Sequence, residues 1–73
     1  MTVTFDAEAD AAFVYLDGDI PPGGAPRSEI CDVEIEGGAV ILLFSPDDRL
    51  VGIEILGASR LLTPQTLAKA KRS

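Results

Sequence analysis

The stretch Ala39–Leu56, AVILLFSPDDRLVGIEIL, does most to limit what this chain can become. Two apolar runs, Ala39–Phe44 and Leu50–Leu56, flank the polar break Ser45-Pro46-Asp47-Asp48-Arg49. Runs of this length, rich in Val, Ile, Leu and Phe and bounded by a Pro/Asp turn, predict a β-hairpin and not a helix. Pro46 suits the first central position of a type I turn, and Asp47 and Asp48 are tolerated at the turn positions after it. The first arm is apolar on both parities, so both of its faces are expected to be covered. The second arm alternates, with Val51, Ile53 and Ile55 on one face and Gly52 and Glu54 on the other.

The remaining segments fit around this hairpin. Thr2–Phe5 alternates, with Val3 and Phe5 on one side, and predicts a first strand over about 2–5. Asp6–Ala11 interrupts it with poor strand formers, and Asp6 can cap a tight turn through its carboxylate. Ala12–Leu16 resumes the strand signal. Asp17–Pro26 has three prolines and three glycines in ten residues and reads as a loop. Strand alternation returns over about 28–36, where Cys31, Val33 and Ile35 oppose Asp32, Glu34 and Glu36. Gly37-Gly38 then permits a two-residue turn with positive φ. Gly57 ends the last strand, Ala58–Leu62 predicts a short turn across the sheet, and Thr63-Pro64 starts a helix over about 64–71. Lys69, Lys71 and Arg72 fall in its last turn, where the helix dipole favours cations.

The expected fold is α+β: one domain over residues 1–73, a five-stranded antiparallel β-meander with a short C-terminal helix. Strands are expected at about 2–5, 12–16, 28–36, 39–44 and 50–56.

A chain of 73 residues is small enough to need reinforcement from a disulfide, a metal or a partner. With Cys31 the only cysteine and no histidine, neither a disulfide within the chain nor a zinc site is available. A partner chain, most simply a second copy, is the remaining staple. No apolar run approaches the roughly 20 residues of a membrane span, and no charged segment precedes an apolar one at the N-terminus. The expected location is the cytoplasm, with no membrane partner.

Charge is unevenly spread. All twelve acidic residues lie between Asp6 and Glu54, beside only Arg27 and Arg49, whereas Arg60, Lys69, Lys71 and Arg72 come after them. An acidic body repels phosphate backbones, which argues against nucleic acid and for masking a small basic protein.

The residues that open and close the chain resemble a known family. Phe5-Asp6-x-Glu8-Ala9-Asp10 is similar to the opening Tyr-Asp-x-Glu-Ala-Asp of a family of very short bacterial and archaeal proteins classed only as a domain of unknown function. Val51-Gly52-Ile53-Glu54-Ile55-Leu56-x-Ala58-Ser59 resembles that family's closing Val-Gly-Ile-Glu-Ile-Leu-x-Ala-Ser. The resemblance implies a small antiparallel sheet with a C-terminal helical piece, and an antitoxin-like, partner-binding role. It supplies no catalytic residues. Phe5 stands for the usual Tyr, Asp48 for a commoner Gly, and the proline-rich loop is longer.

No catalytic set emerges. Glu54 sits mid-strand with no second acid–base group of suitable chemistry, so it is expected to face solvent or meet a cation such as Arg27 or Arg60. Cys31 lies on the apolar parity beside Glu29 and Asp32, which disfavour a thiolate, and is expected to be buried and structural. Ser59 has no general base. Asp6, Glu8 and Asp10 form D-x-E-x-D but lack the register of a calcium loop, and turn capping is the expected role. No cofactor, metal or catalytic residue is expected, and the chain is not expected to be an enzyme. The expected role is a protein-interaction domain and homodimer, with Phe13, Tyr15, Leu43 and Glu54 at the contact surface. The alternative is a small-molecule or divalent-metal-binding domain using Asp6–Asp10 or a pocket beside the Pro/Gly-rich loop.

Overall fold

A computed structural model describes residues 1–72. It contains strands β1 (Thr2–Asp6), β2 (Ala11–Tyr15), β3 (Arg27–Ile30), β4 (Ala39–Phe44), β5 (Leu50–Leu56) and β6 (Lys71–Arg72). Two short helices, α1 (Ala58–Leu61) and α2 (Pro64–Lys69), lie between β5 and β6. The α+β class is as expected. The simple meander is not, because the strand order is β3-β4-β5-β2-β1-β6.

Three hairpins have the expected antiparallel partners: β1 with β2, β3 with β4, and β4 with β5. The difference is that β5 pairs with β2, so β2 and β3 are not neighbours. Strands β2–β5 thus form a Greek key, with the Pro/Gly-rich loop as the long connection. The physical reason is burial. A meander would leave β5 at an edge, whereas the observed order gives it two neighbours and puts β3, exposed at all four residues, outermost.

β3 is also shorter than its alternation suggests. Its last link to β4 is the Cys31 amide donating to the Val40 carbonyl at 2.8 Å; Val33 N–H then turns back to Cys31 O. Residues 31–38 therefore connect β3 to β4, in place of a two-residue turn at Gly37-Gly38. Cys31 is half-buried, not buried.

The C-terminus departs from expectation as well. Thr63 caps α2 as predicted, its Oγ1 accepting from the Thr66 amide at 3.2 Å, with Pro64 in the first turn. The helix stops at Lys69, and Lys71–Arg72 pair in parallel with β1. The outer edge of β1 would otherwise leave its N–H and C=O groups unpaired. The Arg72 guanidinium also lies 5.1 Å above the Phe5 ring, a cation–π contact that a longer helix would forgo.

The molecule is a slab of 34 × 27 × 18 Å, one sheet thick plus one helical layer. Its core is small: Phe5, Ala12, Ile55 and Ala58, with Val14, Ile53, Leu61, Leu62, Leu67 and Ala70 packed around them. All of these sheet residues share one face, the one the helices cover. The expectation that β4 is covered on both faces fails, since all six of its residues are only half-buried. The helices come directly after β5 and are too short to reach beyond its neighbourhood. Among the described residues no helix is long and apolar enough to cross a membrane.

Candidate functional site

The face of the sheet opposite the helices carries no helix, and one residue of the Pro/Gly-rich loop, Ile20, packs on it at Gly52. Pairing register sets its residues in rows that cross the strands. One row runs Ile30, Ile41, Glu54, Phe13, Thr4 and Lys71, from β3 to β6. The next runs Ser28, Leu43, Gly52, Tyr15 and Thr2. The four residues predicted for a contact surface, Phe13, Tyr15, Leu43 and Glu54, therefore lie together on this face. The Phe13 and Tyr15 rings stack at 5.9 Å between centroids and 15° between planes. Ile30 is 70% exposed and Leu56 36%.

Gly52 is buried, and the reason is a loop residue. The Ile20 Cδ1 and Leu43 Cδ1 atoms converge on it, 3.1 and 3.3 Å from where a β-carbon would stand. The Pro/Gly-rich loop thus covers this row at Gly52, while Phe13 and Tyr15 are half-buried. Ile20, Ile30, Ile41 and Leu56 were not singled out by sequence reasoning. Parity could pair Ile41 with Leu43, but which parity the helices would leave bare is a tertiary outcome.

Glu54 is half-buried between Ile41 and Phe13 in this row. Neither arginine proposed for it is available. Arg27 pairs with Glu29 and Asp48, each at 3.3 Å, and stacks 4.1 Å over the Phe44 ring. Arg60 leaves α1 toward Gly37. Among the described residues Glu54 has no ion-pair partner.

The acidic segment Asp6–Asp10 is engaged in holding the fold. Asp6 Oδ1 accepts the Glu8 and Ala9 amides at 3.0 and 3.3 Å, closing the β1–β2 hairpin. Asp10, in the left-handed region at φ 50°, reaches across to α1. Its carbonyl accepts the Gly57 and Ala58 amides at 3.0 Å each, and its carboxylate accepts the Ser59 amide at 2.9 Å and hydroxyl at 2.8 Å. Gly57, the N-cap of α1, offers no side-chain cap of its own. Asp10 supplies it from another hairpin, so the first amides of α1 are satisfied from outside the helix. Any side chain at Gly57 would run into the Gly37 carbonyl, and φ 72° there already favours glycine. Among the described residues no three His, Cys, Asp or Glu side chains converge as metal ligands would.

Beside the Pro/Gly-rich loop lies a shallow hollow of about 180 Å³, lined by Asp17, Asp19, Ile20, Pro21 and Val51 among others. It is smaller than the roughly 300–1,000 Å³ usual for small-molecule sites. At the β4–β5 turn, the Ser45 hydroxyl donates to Asp47 and Arg49 Nε lies 3.2 Å from it, and these hold the Asp47 carboxyl below its usual range. A lowered carboxyl stabilises the fold above its unfolded pKa, and that contribution fades as pH falls through the lowered value.

The model of one family, described as a protein of unknown function (DUF2283), matches residues 2–59. The chain belongs to that family. No curated protein and no solved structure matches it. The DUF2283 span begins at β1 and closes on Ser59, the residue held by Asp10; α2 and β6 lie beyond it.

Proposed function

We propose that this DUF2283 domain is a non-enzymatic protein-interaction module that binds through the open face of its sheet. One observation carries the reading: a sheet face with no helix over it holds a stacked, half-buried Phe13–Tyr15 pair in the same rows as Ile41, Leu43 and the 70% exposed Ile30. Patches of this kind mark interaction surfaces, and aromatic side chains are enriched at their centres. A neutralising role toward a small basic protein falls within the reading and is supported by the formal net charge of −6. The metal-binding alternative loses ground because Asp6 and Asp10 already accept backbone and hydroxyl donors.

The test is site-specific photo-cross-linking in the native host, with a photoreactive residue at position 15, at 43, or at 65 on α2 as the control. Protein adducts are expected at 15 and 43 and not at 65. Adducts absent at 15 and 43, or equal at all three positions, would overturn the reading.

A further inference from the structure

The open face is charged for a second copy of the same chain, and this inference rests on the interaction reading above. A folded monomer of 7.7 kDa is expected to expose about 4,300 Å², whereas this chain exposes 5007 Å². The excess over the whole surface, roughly 700 Å², is of the order of the ~800 Å² that each partner contributes to a standard interface. The core points the same way. Among the described residues no large side chain is fully buried, although 47% of the chain is hydrophobic.

Charge selects the arrangement. Arg72 lies over Phe5 on the helix-covered face, so its neighbour Lys71 points to the open one. Lys71 and Glu54 share the row Glu54–Phe13–Thr4–Lys71, three strand spacings or about 14 Å apart. We infer that two chains stack their open faces about a two-fold axis parallel to the strands, between β2 and β1. That axis sets Glu54 of each chain opposite Lys71 of the other, seats Phe13 and Tyr15 within the overlap of β5, β2, β1 and β6, and leaves β3 and β4, with Leu43, outside it. A two-fold interface must be self-complementary, and this row is: its one anion and its one cation exchange places under the rotation. Lys71 lies outside the DUF2283 span.

Charge exchange tests it, by sedimentation equilibrium at micromolar concentration with melting curves as the check on folding. The wild type should sediment as two chains. Phe13→Lys, or Tyr15→Lys should the first fail to fold, should sediment as one. Glu54→Lys alone and Lys71→Glu alone should each weaken self-association by roughly tenfold or more, because each sets like charges together twice. The double variant Glu54→Lys/Lys71→Glu should regain most of it. A single-chain wild type would overturn the second copy. If position 15 still cross-links to a different protein in cells, the interaction reading survives that result; if nothing cross-links there, both fall. A dimer indifferent to Phe13→Lys and Tyr15→Lys, or single swaps not rescued by the double, would overturn the stacking.

Discussion

Asp10 shows how one side chain can tie together distant parts of a short chain. Four donors from Gly57, Ala58 and Ser59 converge on its carbonyl and carboxylate, joining the first hairpin to the first helix. Replacing it with alanine removes the carboxylate and leaves the Ser59 amide and hydroxyl to water. Asp10→Ala should therefore cost about 1–2 kcal/mol, as for lost helix caps, and Ser59→Ala less because the amide bond survives. Urea denaturation of both variants and the double variant checks this. A double-variant loss equal to the sum of the single losses would show that the two residues are not coupled. Sequence reasoning assigned this segment to capping, and Asp6 does cap its own turn. It could not foresee that Asp10 caps a helix 49 residues away, because that partnership depends on β2 lying beside β5.

The centre of gravity of the sheet lies in β5. The unbroken apolar run of β4 suggested a strand covered on both sides, yet each β4 residue is half-buried while Ile55 of β5 is only 8% exposed. Hydrophobicity along a strand reports its appetite for burial, not the supply of covering surface. Helices of four and six residues reach the sheet only where the chain enters them, next to β5, β2 and β1. Ile55→Ala should accordingly cost about 2–4 kcal/mol and Leu42→Ala about 1–2, measured by chemical denaturation. The reverse ranking would mean that β4, and not β5, anchors the sheet. β6 offers a parallel lesson: the three basic residues matched a helix end, but the open edge of β1 drew two of them into a strand.

Taken whole, the molecule is acidic and its carboxylates are mostly solvated. The ion pairs found among the described residues, Arg27–Glu29, Arg27–Asp48 and Arg49–Asp47, are exposed and gather at one end of the β4–β5 hairpin. Exposed pairs contribute about 0–1 kcal/mol each. With a formal net charge of −6, self-repulsion should outweigh them, so moving from low to physiological sodium chloride should raise the melting temperature. A fall would mean that attractive pairs dominate. Calorimetry at a fixed chain concentration is needed, because association also raises apparent stability.

Local chemistry was legible wherever neighbours along the chain settle it. The Ser45–Arg49 turn, the Thr63 cap with Pro64 behind it, and the alternation of β5 each arise from residues within a few positions of one another. The grouping of Phe13, Tyr15, Leu43 and Glu54 was half legible: strand parity put Phe13 with Tyr15 and Glu54 opposite Ile53 and Ile55. What parity cannot carry is which strands become neighbours. The insertion of β5 beside β2, the parallel docking of β6, and the sheet face left without a helix all arise from contacts far apart in sequence. Their energies compare alternative burials of the same apolar residues. A strand pattern is identical whichever neighbour it finds, so that comparison is made only when the whole chain packs.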